Sequence, residues 1–389
     1  MIAKLAFRNI YGAGLRTWLN AIVLSFSFVA IIWMQGIYIG MGEQVEQATV
    51  EALYGGGQYW QTIYDPYDPL SFDDAHSTIP DALRQSIDRD EAVPVLVRQG
   101  TLYANGRMRS VLLKGVPPSQ KILSLPSAFL ESGDETIPAL IGSRMAESAG
   151  LRKGEEVTVQ WRDVNGAFDA REVKIVEVMK TSVQEIDNGQ LWLPLRRLQE
   201  MTGLPNEATL VILAKEQSAP GAFQSWTFKD LDFLLQDLRA MVQSKTIGAS
   251  IIYVILMFLA MLAIFNTQVL SIFRRKKEMG TLMAMGMTRV KVIELFTLEG
   301  AMHAVLAAFV AAIYGIPLLV YTAKTGWALP ASTDEYGFAI GERLFPTYGA
   351  GLVIGTTLLV LIVTTIVSFL PTRKIAKLKP TDALRGKLT

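Results

Sequence analysis

The 389-residue sequence contains no cysteine and only two histidines, His76 and His303. Without thiols there is no disulfide, no thiolate nucleophile and no zinc site built from the usual cysteine and histidine ligands. No G-x-S-x-G occurs, and neither histidine stands where a catalytic triad would need it. Gly386-Lys387 lacks the earlier glycine of a phosphate loop, so this chain does not bind and split ATP in the usual way. The reading therefore assigns no catalytic residue, no metal and no nucleic-acid partner. Charge is scarce as well, at 19% against 50% hydrophobic residues, which excludes disordered and coiled-coil classes.

What the sequence does have is apolar residues in blocks. The uncharged runs 17–42, 246–273, 300–323 and 344–372 hold 26, 28, 24 and 29 residues, whereas the next longest, 52–64, holds 13. A hydrocarbon core of roughly 30 Å is crossed by about 20 apolar helical residues, and only helices or closed barrels satisfy their backbone there. Four spanning helices follow, at 18–41, 248–273, 300–323 and 347–370. The first is too long for a signal peptide and no small-residue cleavage site follows it, so it is read as an uncleaved anchor.

Segments 1–16, 274–294 and 371–389 together carry 15 Lys or Arg against Glu278, Glu294 and Asp382. The positive-inside bias puts the amphipathic N-terminal segment 1–17, the loop 274–294 and the tail 371–389 in the cytoplasm. Residues 42–247 and the short loop 324–346 then lie outside. Inside the spans the polar groups Gln35, Asn266, Gln268 and His303 are uncharged, and Glu299 stands at a cytoplasmic rim. A translocated ion or proton calls for mid-span charge. A channel or proton-coupled carrier is disfavoured.

The outer segment alternates short β-rich stretches with turn signals. Strands are expected at 93–97, 100–103, 110–113, 157–161, 172–178, 191–193 and 209–213, with type I′ turns at Asn105-Gly106 and Asn165-Gly166. Helical patches at 80–89, 143–150 and 195–202 make the domain mixed α+β. Beyond it, Phe228, Leu231, Leu234, Leu235, Leu238, Met241 and Val242 recur at helical spacing, so 228–273 reads as one helix of about 69 Å. Stalk helices are thus expected at 42–53 and 228–247, either relaying motion or simply holding up a passive domain. Gly36-x-x-x-Gly40 and Gly351-x-x-x-Gly355 are small-residue ridges that permit close packing, the first suggesting a span that meets a partner.

The segment 274–289 opens with four consecutive cations that sit at lipid headgroups. Met279, Leu282, Met283 and Met285 then present soft apolar side chains suited to another protein's groove. Lys277-Glu-Met-Gly-Thr-Leu-Met-Ala-Met-Gly-Met-Thr-Arg289 resembles the R-E-I-G-x-L-R-A-L-G-A-x-R signature of the FtsX-like, or MacB-type, ABC transporter permeases. Leu5-Ala-Phe-Arg-Asn-Ile10 with Arg16-Thr-Trp-Leu, and Pro371 to Arg385, are similar to that family's two ends. Ala139-Leu-Ile-Gly-Ser-Arg-Met-Ala-Glu-Ser-Ala-Gly-Leu-Arg-Lys-Gly-Glu155 resembles its outer-domain motif.

The resemblance implies mechanotransmission by a dimer of identical or homologous permeases with two copies of a separate ATPase, which binds the ATP and magnesium. It makes residues 277–289 the coupling helix, with Lys277, Glu278, Met279, Gly280, Leu282, Met283, Met285, Gly286 and Arg289 as its contact set. Met283 and Met287 depart from the family pattern, which points to altered partner selectivity. It also implies a bacterial inner membrane location. Tyr54-Gly-Gly-Gly-Gln-Tyr-Trp-Gln-Thr-Ile63 is most similar to the lipoprotein-releasing permeases. Tyr59, Trp60, Tyr64 and Tyr67 either line a surface for cargo or a carrier, or form a turn and an edge strand. Tripartite efflux of peptides or drugs, and FtsX-like signalling to a cell-wall hydrolase, stay open as alternatives to lipoprotein or lipid extraction.

Overall fold

The computed structural model describes residues 14–131, 136–181, 183–217, 219–328 and 343–375. The N-terminal motif at 5–10, most of the loop 324–346 and the tail beyond 375 lie outside the described residues. The first principal elements are helix α1 (Leu15–Thr49), strand β1 (Gln58–Gln61), helix α2 (Asp81–Asp88), strands β2 (Ala92–Ala104), β3 (Arg107–Val116) and β4 (Ile137–Gly142), and helix α3 (Ser143–Ala149). There follow β5 (Glu156–Arg162), β6 (Phe168–Met179), β7 (Gln190–Pro194), helix α4 (Leu195–Thr202), β8 (Leu210–Leu213) and β9 (Trp226–Lys229). The remaining helices are α5 (Leu231–Leu234), α6 (Gln236–Arg274), α7 (Lys276–Ala284), α8 (Arg289–Thr325) and α9 (Ala350–Ile375).

The chain forms two compact units, one comprising Met1–Met41, Val242–Ala328 and Leu344–Thr389, the other Gly42–Met241 and Leu329–Arg343. In the second unit nine strands run in the order β9-β1-β8-β2-β3-β7-β4-β6-β5, and β2 also pairs with β5. That extra pairing closes β2, β3, β7, β4, β6 and β5 into a ring. Long β2 makes this possible, since Ala92–Val95 pair with β8 while Gly100–Tyr103 pair with β5. Inside the ring pack Leu102, Leu113, Ile141, Val159, Trp161, Ile175 and Leu191, the inward half of each two-residue alternation. On the opposite face lie Val95, Val97, Leu140, Trp192, Leu210 and Ile212.

Local turn chemistry fixes this register in one hairpin and adjusts it in another. Asn105 (φ 50°) and Gly106 (φ 72°) join Ala104 to Arg107 as a two-residue loop, the left-handed pair that a type I′ turn requires. The second Asn-Gly behaves differently. Only Gly166 takes positive φ (84°), and the β5–β6 loop runs over 163–167 because the Asp163 carboxylate accepts from the Asn165 and Ala167 N–H groups at 2.9 and 2.7 Å. A side chain that mimics the turn has lengthened it.

The motif around Gly142 has a physical cause. Asp187, 2% exposed, accepts hydrogen bonds from the Ser143 hydroxyl and the Arg144 N–H, both at 3.0 Å, and pairs with Arg144 Nε at 3.2 Å. It caps α3 from another part of the chain, and a Cβ on Gly142 would lie 2.3 Å from the Asp187 Cα. Only glycine permits that approach. Asp187→Ala removes a cap and a largely buried ion pair, so the outer unit is expected to lose roughly 2–3 kcal/mol, read as a lower denaturation midpoint; an unchanged midpoint would refute the capping role.

One expectation about the stalks needs correction. Residues 226–229 form β9, paired with β1 from Gln58↔Lys229 to Gln61↔Trp226, so no helix starts at 228. Trp226 and Phe228 make a strand because they bury against Tyr59 and Val211, which local helical spacing cannot foresee. Helix begins at Leu231, where the Asp230 side chain accepts from the Phe233 N–H, and restarts at Gln236. On the other side α1 continues as a π-helical turn, Val50–Tyr54, which Gly55 ends at φ 56°. Within this unit Arg239 grips Glu46 with both ends of its guanidinium, at 2.7 and 3.2 Å.

The first unit contains segments of four helices long and apolar enough to cross a membrane. Their large apolar residues face outward, among them Phe26, Ile255, Phe258, Phe309, Ile313, Leu358 and Ile362, which is the surface that lipid tolerates and water does not. α1 and α8 approach through small residues, with Ala21, Phe28 and Val29 against Ala304, Ala307 and Ala311. The Gly36 and Gly40 ridge is occupied by the chain itself. A Cβ at Gly36 would meet the Tyr348 ring at 2.2 Å and one at Gly40 the Phe345 carbonyl at 2.1 Å, and the Thr347 N–H donates to the Gly36 carbonyl at 2.9 Å. The extended strip 345–349 therefore displaces the expected helix start from 347 to Ala350. Gly351 and Gly355 face open space.

Candidate functional site

The polar run at 274–289 is built as a short helix folded back on a long one. Arg275 breaks α6 from α7 with φ −95° and ψ 15°. Its guanidinium pairs with Glu278 and Glu299, each at 2.7 Å, and lies 4.8 Å above the Phe296 ring. Glu299, whose side chain is 8% exposed, is thus held by Arg275. His303 donates from Nδ1 to the Glu299 carbonyl at 2.7 Å, a bond within its own helix.

The far end of α7 is a Schellman turn. The Met287 N–H reaches the Leu282 carbonyl at 3.0 Å, the Gly286 N–H reaches Met283 at 3.1 Å, and Gly286 takes φ 96°. The Met-Gly-Met-Thr stretch of the motif is therefore a helix stop followed by the N-cap Thr288 of α8. Apolar contact between the residues flanking that turn completes it, since Leu282 and Met287 both pack on one cluster.

That cluster corrects the assignment of the contact set. Met279 (1% exposed) is buried with Val292, Leu295 and Phe296, and Leu282, Met283 and Met287 pack beside it. These methionines pack α7 onto α8, Met279 wholly buried and Met283 and Met287 half-buried. Gly280 is buried too. The departures at Met283 and Met287 thus fall on internal packing positions. What remains exposed is Lys277, Glu278, Thr281, Ala284, Met285 (71%), Gly286, Thr288, Arg289 and Val290 (72%). Arg275, whose role the sequence reading missed, carried a signal only as one cation among four.

The outer-domain aromatics separate by alternation along β1. Tyr59 is fully buried and donates to the Gly221 carbonyl at 2.7 Å, on the face away from Trp60. Trp60 stacks edge-on with Tyr64 and Phe233, at centroid distances of 5.1 and 5.9 Å, and lines a cavity of about 760 Å³ that also touches Tyr64 and Tyr67. β1 is not an edge strand, because β9 and β8 flank it. Burial pushes the Tyr64 phenol up, and a hydrogen bond to the Asp237 carboxylate raises Tyr67 to about 12.

Helices long and apolar enough to cross a membrane and a separate sheet domain of about 200 residues are the architecture of a membrane-embedded protein. Residues 17–226 match the MacB-like periplasmic core domain and residues 250–380 the FtsX-like permease C-terminal region, so the chain belongs to the FtsX-like, MacB-type ABC transporter permeases. Permeases of this family are the membrane subunits that work with an ABC ATPase subunit. No curated protein sequence matches the chain. The extracellular domain of the noncanonic ABC-type transporter YknZ from Gram-positive bacteria is similar at 16% identity and a TM-score of 0.29, covering 45% of this chain and 99% of that one.

Proposed function

We propose that this chain transmits the ATP-driven movement of a separate ATPase to its extracytoplasmic domain, and that its cargo is a lipid-anchored protein or lipid extracted from the bacterial inner membrane. The carrying observation is the loop at 275–290, an exposed patch of Lys277, Glu278, Met285, Arg289 and Val290 on an apolar base. A rigid base lets force applied at the patch move α8, which a floppy loop would absorb. Two ATPase copies bind ATP and magnesium in the cytoplasm, where both termini lie, and a second permease chain completes the pair. The bidentate Arg239–Glu46 pair supports a stalk role for the helical segments entering and leaving the outer unit. The cargo reading rests on the stretch Tyr54–Ile63.

Glu278→Lys reverses a charge in the patch whose side chain is 60% exposed. It is expected to cut stimulation of the partner ATPase in proteoliposomes at least ten-fold while membrane insertion stays intact; unchanged stimulation would overturn the loop assignment. Affinity capture from detergent tests the cargo. An ATPase with lipoproteins supports extraction, an outer-membrane channel and adaptor would replace it with efflux, and a murein hydrolase would replace it with signalling.

A further inference from the structure

One face of the outer sheet carries chemistry that force transmission leaves unused. Alternate residues of six neighbouring strands, from Lys229 on β9 through Trp60 on β1 to Lys114 on β3 and Trp192 on β7, floor the cavity of about 760 Å³, which is the size of a small-molecule site. Half of that floor is apolar or aromatic. Three polar groups on it are buried without a protein hydrogen bond or ion pair, and they are neighbours by register. Lys114 pairs directly with Trp192, and Gln190, two residues earlier on the same strand, pairs with Leu112.

Lys114 is 8% exposed, Gln190 5% and Trp192 1%. The Gln190 Oε1 acceptor and the Trp192 Nε1–H donor have no partner. Among the described residues no acid lies within ion-pair distance of the Lys114 amine, which stands 5.1 Å from the Trp192 ring centroid. Burial pushes that amine down to about 8, with Glu185 opposing from farther away, so at neutral pH it still bears its proton. A buried cation without a counter-ion destabilises the fold, and such a cost persists where a ligand uses the charge. Asp65, Glu185 and Asp237 line the same cavity and disfavour a multiply charged anion.

We propose that this cavity binds a small amphiphilic monoanion of the N-acyl amino acid type. Its carboxylate accepts from the Lys114 ammonium and the Trp192 indole N–H, its amide N–H donates to Gln190 Oε1, and its apolar chain lies against Trp60, Tyr64 and Phe233. The Lys114 ammonium and the Trp192 N–H donor match one carboxylate, while the other cation of the lining, Lys229, is held over the Trp60 and Phe233 rings at 5.6 and 4.2 Å. The Gln190 acceptor demands a donor close to it, which a bare fatty acid lacks. The proposal stands on the geometry of the outer domain and not on the coupling reading.

The test is calorimetric titration of the full chain in lipid nanodiscs, with empty nanodiscs as the blank. N-octanoylglycine is expected to bind saturably at one site per chain, N-octanoylglycinamide at least ten-fold more weakly, and octanoate several-fold more weakly. Lys114→Met should weaken N-octanoylglycine at least ten-fold, and Gln190→Leu should erase its advantage over octanoate. Circular dichroism of all three variants checks the fold, and Trp60→Ala, which removes the aromatic wall together with its hydrogen bond to Gln58 Oε1, should weaken all three probes alike. No saturable heat, equal affinity for the neutral amide, or full affinity in Lys114→Met overturns the proposal.

Discussion

Arg275→Ala is expected to loosen α7 from α8 and to silence coupling while leaving the spans inserted. The substitution removes the ion pair to Glu299, the pair to Glu278 and the stacking on Phe296 together. Removing one partner of a wholly buried pair costs about 3–5 kcal/mol. Arg275 is 24% exposed, so water screens part of the effect and about 2–3 kcal/mol is the expected loss. Hydrogen exchange over 276–284 reads it as amide protection falling by roughly thirty- to one-hundred-and-sixty-fold. Glu278→Gln removes only the exposed pair, worth about 0.5 kcal/mol, and should leave protection nearly unchanged. Equal protection in wild type and Arg275→Ala would show that the methionine cluster alone fixes α7.

Lys114→Met is expected to stabilise the outer unit, an outcome opposite to most buried substitutions. Methionine fills the same volume without a charge to desolvate. The lysine amine falls from 10.5 to about 8 on folding, a difference of roughly 3 kcal/mol at neutral pH. The direction with pH follows from proton uptake. Below about 8 both folded and unfolded states hold the proton and the full burial cost is present. Between about 8 and 10.5 the folded state has lost the proton and the unfolded state regains it, so wild-type stability rises with pH through that window. The advantage of Lys114→Met should therefore be largest near pH 7 and shrink toward pH 10, measured by denaturation of both proteins across that range. A gap that does not change with pH would mean that the buried charge is not its source.

Both predictions concern residues that sequence patterns pass over. Lys114 stands at the end of an expected strand that stops at Leu113, because a lysine in an apolar alternation reads as the strand's exit into water. β3 in fact continues to Val116, with β7 beside it in parallel. Arg275 reads as one headgroup anchor among four cations, and its partner Glu299 lies 24 positions later. Met279, Met283 and Met287 look like a docking surface only until α8 is known to run beneath them. Similarly, β1 reads as an edge strand until β9 is found on its outer side.

Free of any tertiary knowledge, the chain states its four apolar runs, its cation-rich loops, its Asn105-Gly106 turn and its three short helices. Those are matters of dihedral preference, hydrogen-bond satisfaction in lipid and composition, each decided within one or two turns of backbone. Tertiary structure alone decided which side of each element is occupied and by what. It placed the 345–349 strip on Gly36 and Gly40, turned Met279 inward, made 226–229 a strand and left Lys114 buried without a counter-ion. Such outcomes depend on contacts between residues tens to more than a hundred positions apart, whose geometry is set by the whole set of strand and helix pairings and is encoded in no single window of the sequence.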